Sequence, residues 1–140
     1  MTSEFCIAVH ALVFLHHKGK CLSSEMLAKN ICTNPARIRK IMAKLKKAKL
    51  VSTKEGADGG YLFCHSPEEV SLEQVAKAMD TAFVFSNWRS GNAGKNCFIS
   101  SGMADVMDGI YQQLDQLCQD HLRFITIADV EKKLCNKSKA

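Results

Sequence analysis

Nine basic side chains and no acidic one fall between residues 26 and 54: Lys29, Arg37, Arg39, Lys40, Lys44, Lys46, Lys47, Lys49 and Lys54. Elsewhere the 140-residue chain carries ten basic and fourteen acidic residues, so its formal net charge of +5 conceals one cationic stretch on a mildly acidic remainder. Cations concentrated in this way bind polyanions, and nucleic acid is the polyanion this pattern fits best. A solvated helix face is the plainer alternative. The other reactive side chains are seven cysteines and five histidines. No CxxC pair occurs, and no Cys/His spacing matches a zinc site, so no metal is expected. His10, His16, His17, His65 and His121 are scattered, and no nucleophile elbow, phosphate loop or HExxH motif is present. An enzyme is therefore not expected.

Composition narrows the class. With 46% hydrophobic and 24% charged residues the chain is ordinary for a globular protein, which excludes a disordered or collagen-like polymer. The longest apolar run, Cys6–Leu15, is interrupted by His10 and is shorter than the roughly 18 residues of a membrane span. No partnership with a membrane is expected. The start Met1-Thr2-Ser3-Glu4 lacks the basic region of a signal peptide, which makes the cytoplasm the expected compartment. Reduced thiols follow, with most cysteines expected as small buried hydrophobes, Cys6, Cys64 and Cys118 among them.

The elements that must position the cations can be read from periodicity and capping. Phe5–Leu15 reads as a mostly buried first helix ended by Gly19. Ser23 can cap a short second helix ending near Asn30, with Leu22 and Leu27 as a hydrophobic staple. Asn34 followed by Pro35 is a strong start for a third helix running to about Lys49. Its residues Ile38, Ile41, Met42, Leu45 and Ala48 fall within a stripe about 120° wide, opposite the cations. Residues 50–54 and 61–64 read as a hairpin with a glycine-rich tip. Ser71-Leu72-Glu73-Gln74 carries a capping box for a fourth helix ending near Asp80. A long loop over 86–102 precedes a helix from about Met103 to Phe124, and Thr126 caps a last helix ending near Leu134, followed by a polar, frayed tail.

This order describes a mainly α fold with a small β-hairpin: a winged helix-turn-helix over residues 1–82, a sensor or effector loop over 83–102, and a dimerisation helix with a C-terminal helix over 103–140. The third helix buries one face and offers the other to the major groove of double-stranded DNA. Arg37 and Arg39 can donate bidentate bonds to guanine, Asn34 can reach a base edge or phosphate, and Lys40, Lys44 and Lys47 suit phosphates. Ser23 and Ser24, at a helix N-terminus, serve either as caps or as phosphate ligands. Gly59 and Gly60 either let the wing backbone approach DNA or simply permit the turn. Met103, Val106, Met107, Ile110, Leu114 and Leu117 recur at three- and four-residue steps, as a helix seam does.

The stretches Asn34-Pro35…Arg39…Leu45…Ala48-Lys49-Leu50-Val51, Gly56-x-x-Gly59-Gly60-Tyr61-Leu62, Ser71-Leu72…Val75 and Thr126-Ile127-Ala128-Asp129-Val130 together resemble the Rrf-two (Rrf2) family of bacterial transcription regulators over nearly the whole chain. The resemblance implies a homodimeric winged-helix repressor or activator. The helix near 103–124 would form its dimer seam, and two recognition helices would read a palindrome. Lys49 stands where the family usually has glycine, and Glu55 stands where cluster-binding members often place an arginine. Those members carry three closely spaced cysteines in the sensor loop; this chain has Cys97 alone there, so no iron–sulfur cluster and no other cofactor is expected.

Two sensing modes remain open. In one, Cys97 or Cys32 is an oxidation switch, Cys32 because it precedes the cationic helix. In the other, a small molecule or protein partner binds around Phe83, Phe85 and Trp88, aromatics that otherwise read as core. A winged-helix adaptor that contacts only proteins is a further alternative, which the charge of the third helix disfavours.

Overall fold

Capping chemistry sets where the helices begin. The structure, a computed structural model, describes residues 2–139. Helix α1 (Thr2–Lys18) ends at Gly19, whose left-handed backbone (φ 65°) turns the chain while its N–H still donates to the Leu15 carbonyl. Helix α2 (Ser24–Ile31) starts with the Ser23 hydroxyl accepting from the Met26 N–H at 3.2 Å. Helix α3 (Pro35–Lys47) starts with the Asn34 side-chain oxygen accepting from the Arg37 N–H at 2.8 Å, and Pro35 occupies a first-turn position that needs no donor. Ile38, Ile41, Met42 and Leu45 are fully buried, as periodicity places them, but Ala48, expected in the same stripe, is exposed because the helix ends at Lys47 and Ala48 is its C-cap.

Lys49 has φ 63° and lets the Leu50 N–H reach back to the Leu45 carbonyl, a left-handed helix ending that glycine normally supplies. Lys49→Gly is expected to raise stability by about 1 kcal/mol, read as an upward shift of the denaturation midpoint at constant slope.

Strands β1 (Val51–Lys54) and β2 (Gly60–Phe63) pair antiparallel with Val51 opposite Phe63 and Lys54 opposite Gly60. Tyr61 also bridges Leu22, which ties the hairpin to the start of α2. A single 3₁₀ turn (Pro67–Glu69) leads to α4 (Leu72–Ala78), where both bonds of the Ser71–Gln74 capping box are made. Helix α5 spans Phe98–Leu122 and helix α6 spans Ile127–Ser138, the latter opened by a second capping box between Thr126 and Asp129. The starts of α4 and α6 are stitched together: Leu72 N–H donates to Ile125, and Ile127 N–H donates to Val70. The core surrounds α1, whose Ala8 and Ala11 are fully buried and admit close neighbours.

Four expectations need correction. The long helix begins at Phe98, not near Met103, which shortens the loop; the Asn92 N–H donates to the Ser100 carbonyl, so loop and helix start brace each other. The last helix continues past Leu134 to Ser138, its capping box having fixed a good start. None of the seven cysteines is buried. Cys32, Cys64 and Cys97 sit at element ends where the chain turns outward, Cys6 and Cys135 line an open groove between α1 and α6, and Cys118 lies half-buried on α5. The aromatics of the loop are not core either. Phe83 packs edge-on to Phe5 with ring centres 5.1 Å apart, but Phe85 and Trp88 are exposed.

One buried charge joins α4 to the end of α5. Glu73 accepts from two nitrogens of Arg123, at 3.1 and 3.4 Å, and pairs with Lys77 at 3.6 Å. The bonds from Arg123 outweigh desolvation and, with the charges of Arg123 and Lys77, hold the Glu73 carboxyl below its ordinary value. A carboxyl depressed in the fold stabilises it above the ordinary carboxylate range, and that contribution is lost as pH falls through the lowered pKa. Glu73→Gln is therefore expected to lower Tm at about pH 7 and to leave a flatter acid dependence, the two curves converging only once the pH has fallen below the lowered Glu73 pKa in a calorimetric pH series.

Candidate nucleic-acid interface

The exposed side of α3 is ordered across its width. Successive residues are about 100° apart, so Ala36, Lys40, Ala43 and Lys47 form the outermost line, directly opposite the buried stripe. Lys40 and Lys47 are exposed and make no hydrogen bond or ion pair among the described residues. Between them the two alanines keep the ridge low, so the helix backbone can come close to a groove floor. Periodicity alone marks the cations and passes over these alanines, although their place on the wheel was readable.

The remaining cations flank that line and are held by neighbours. On one side the Arg37 guanidinium donates to the Ser3 hydroxyl at 2.8 Å, and Lys44 pairs with Glu4 at 3.1 Å. The Lys44 bond holds the Glu4 carboxyl below its ordinary value. On the other side Arg39 donates to the Ser24 hydroxyl at 3.3 Å and lies 3.9 Å from Glu25, while Lys46 donates to Thr53 at 3.1 Å. The first turns of α1 and α2 thus orient Arg37, Lys44 and Arg39, and β1 orients Lys46, which nothing in the spacing of residues 26–54 announces. Lys44, the half-buried member, is already neutralised by Glu4.

The other candidates have structural employment on view. The Ser23 hydroxyl is the α2 cap, and the buried Ser24 hydroxyl sits between Glu25 and Arg39. The Asn34 oxygen caps α3, and its amide nitrogen makes no hydrogen bond among the described residues. Asn34→Asp keeps an acceptor for the cap while adding a negative charge. It is expected to leave the denaturation midpoint unchanged and to weaken DNA binding about tenfold, whereas Asn34→Ala is expected to cost about 1 kcal/mol of stability. Gly59 and Gly60 make their close approaches within the protein: a Cβ on Gly59 would lie 2.2 Å from the Lys54 carbonyl, and one on Gly60 2.3 Å from the Leu22 carbonyl.

The segment between α4 and α5 is strapped to α5. The Phe83 and Val84 N–H groups both donate to the Asp115 carboxylate, at 2.6 and 3.0 Å, and Arg89 pairs with Asp105 and Asp108. Cys97 is the N-cap residue of α5, exposed, and its thiol is held below the ordinary value by the backbone N–H groups of Ser100 and then Ile99. Cys32 lies instead at the C-terminal end of α2 with φ 65°, its sulfur 3.8 Å from the Lys29 carbonyl and 3.9 Å from that of Asn30. It faces carbonyl oxygens, not the amide groups that open α3. Among the described residues no three His, Cys, Asp or Glu side chains are placed to ligate a metal together, and Cys97 is the single thiol of the segment.

Along α5 no residue is buried, although it is 25 residues long. Met103, Val106, Ile110, Leu114 and Leu117 are exposed, Leu117 to 65%, and Met107 is half-buried beside them. Among the described residues no helix is long and apolar enough to cross a membrane.

Comparison with known proteins places these features in context. A family profile described as "Rrf2: Iron-dependent Transcriptional regulator" matches residues 1–133. YwnA of Bacillus subtilis (strain 168), named an HTH-type transcriptional regulator, is 24% identical over 137 residues, covering 96% of this chain and 98% of YwnA. The solved structure of a transcriptional regulator from Lactobacillus plantarum superposes with a TM-score of 0.83 at 21% identity, over 96% of this chain and 91% of that one. IscR of T. potens superposes with a TM-score of 0.68 at 20% identity, over 96% and 87% of the two chains.

Proposed function

The chain belongs to the Rrf2 family of DNA-binding transcriptional regulators, and from that premise we propose that it represses transcription as a homodimer bound to a palindromic operator. The observation that carries the proposal is the exposed line Ala36-Lys40-Ala43-Lys47 on α3, flanked by oriented Arg37 and Arg39. Lys40 and Lys47 supply phosphate contacts, and the two arginines, at the N-terminal half of the helix, supply base contacts. The unburied seam of α5 supports dimerisation. A two-fold dimer carries two copies of α3, and palindromic half-sites mirror that symmetry.

The protein works, in this reading, without a resident iron–sulfur cluster, since one loop cysteine cannot replace three. The Cys97 thiol is the candidate switch: peroxide oxidises its thiolate to sulfenate with release of water, adding an oxygen atom at the start of the dimer helix. The exposure of Trp88 favours a second reading, in which the same segment takes up an effector or partner protein.

Fluorescence anisotropy on duplex from upstream of the gene tests both. Specific binding that weakens steeply with salt is expected, as phosphate contacts release counterions. Loss on mild oxidation, absent in Cys97→Ser, supports the thiol switch. Specific binding indifferent to oxidation moves the signal to an effector. Equal binding to a scrambled duplex would overturn operator recognition.

A further inference from the structure

An apolar trough of about 650 Å³ runs between α1 and α6, and nothing described so far occupies it. Its α1 wall is one ladder of residues at three- and four-residue steps, from Phe5 through Val9 and Val13 to His17, about 18 Å along the helix axis. Its α6 wall is a helix face that starts buried and ends bare. Ile127, Leu134 and Ser138 lie on one side of α6, yet Ile127 is fully buried while Leu134 is 53% exposed. The helix is anchored at its first turn, where the Ile127 N–H donates to Val70, and the apolar face of its later turns is left without a partner. Phe5, Val9, Phe14 and Val130 are half-buried along the trough, so their side chains keep surface that an occupant can touch.

Charge distinguishes one end of the trough. Glu131 is the single acid lining it, and it is engaged: His16 Nδ1 lies 2.5 Å from one carboxylate oxygen and His17 Nδ1 3.5 Å from the other. Beyond Phe14 and Asn30 the trough opens into a second hollow, of about 490 Å³, which shares those two residues with it. Lys18, Lys20 and Lys29 stand around this hollow, exposed and without an ion pair or hydrogen bond among the described residues. The Lys18 ammonium lies 5.7 Å from the centre of the Phe14 ring, so cation and apolar wall meet at the junction. Glu25, one turn before Lys29, is turned away to Ser24 and Arg39. Three uncompensated cations therefore stand at one end of an apolar channel.

We propose that this channel binds a single-chain anionic amphiphile, its alkyl chain in the trough between α1 and α6 and its carboxylate or phosphate head among Lys18, Lys20 and Lys29. The trough volume falls within the roughly 300–1,000 Å³ of small-molecule sites, where apolar walls hold the ligand and a few polar groups fix its orientation. A neutral chain would leave the lysines unused, and an anion without a chain would leave the trough wet. No residue of either hollow belongs to α5, so the α5 seam of the proposed dimer makes no use of the channel. The binding itself does not depend on the DNA-binding reading. A regulatory consequence rests on that reading: α1 carries Ser3 and Glu4, which hold Arg37 and Lys44 of α3, so an occupant lodged against α1 couples to the operator face.

The test uses the full-length protein with straight-chain carboxylates, alkyl phosphates and alcohols of matched chain length, each below its critical micelle concentration. Thermal unfolding is the screen, and titration calorimetry confirms. Carboxylates or phosphates of one range of chain length are expected to raise Tm saturably, and the matched alcohols to bind at least about tenfold more weakly. Leu134→Glu, at an exposed position, is expected to weaken binding about tenfold or more without moving Tm of the free protein. The triple variant Lys18→Gln, Lys20→Gln, Lys29→Gln is expected to bind the anions no better than the alcohols. Location is read independently: Cys6 and Cys135 line the trough and Cys64 does not, so a bound chain is expected to slow alkylation of the first two several-fold and to leave Cys64 unchanged. A flat response to every anion overturns the proposal, as does equal binding of the alcohols, undiminished binding by both variants, or binding without protection of Cys6 and Cys135. So does conversion of a dimer to monomers by Leu134→Glu, which would assign the trough to a contact between copies of the chain. Anisotropy on the operator, with and without the ligand, reads the coupling separately.

Discussion

Ile110→Asp is expected to convert the protein to a monomer and to abolish operator binding while leaving the winged domain folded. Ile110 lies at the middle of the α5 seam and is 43% exposed within one chain, so the carboxylate is tolerated by the isolated subunit. In a two-fold dimer the substitution enters twice, close to the axis, and each copy places an unpaired charge among Val106, Met107 and Leu114. Such burial costs several kcal/mol per charge, which is ample to shift a dimer held by a seam that runs roughly 21 Å from Met103 to Leu117. Light scattering should report half the mass, and circular dichroism should report unchanged helix content. Anisotropy should show at least about a hundredfold loss on the operator, because the second half-site no longer binds intramolecularly. Residual binding should be the salt-sensitive, sequence-indifferent kind that Lys40 and Lys47 provide. Val106→Asp, at 61% exposure, should behave alike. If both variants stay dimeric, α5 is not the dimer seam.

The second large effect is expected from Gly60→Ala. Gly60 has φ 150°, and a Cβ there would lie 2.3 Å from the Leu22 carbonyl oxygen and 2.9 Å from the Ser23 nitrogen. Those atoms are backbone, so no side chain can swing aside. The paired bonds between Leu22 and Tyr61, at 2.8 and 3.0 Å, must stretch or break, and the wing must lift off the start of α2. A loss of about 2–3 kcal/mol is expected by chemical denaturation. DNA affinity should fall as well, since Ser24 holds Arg39 at that same junction. Gly56→Ala is the control: its φ is 109°, but a Cβ there meets nothing within 4 Å, so only backbone strain is added. Equal effects of the two changes would show that crowding against Leu22 is unimportant.

Much of the framework was legible because it is written locally. The cap at Asn34, the Ser71–Gln74 box, the buried stripe of α3 and the hairpin tip each depend on residues no more than a few positions apart, and the structure shows all four. Boundaries were read less well where a distant contact competes with local preference. Residues 98–102 look like loop by composition, yet they are helical, with Ser100 accepting from Asn92. The cysteines were misplaced for a related reason: a small apolar side chain follows whatever surface its element happens to present, and those surfaces are set by packing.

The candidate site divides the same way. Its cations and their net sign belong to the sequence alone, since charge at this density needs no fold to attract a polyanion. Which cations are free belongs to the tertiary structure. Arg37 meets Ser3 and Lys44 meets Glu4 across 34 and 40 residues, and only the crossing of α1 and α3 brings them together. The bond from the Gln119 amide to the Thr81 carbonyl is the extreme case, because the two residues are 38 apart and neither carries any motif. Periodicity reports which face of one helix is buried. It is silent on what a second helix carries to that face, and hydrogen bonds and ion pairs, which act over about 3 Å, are decided there.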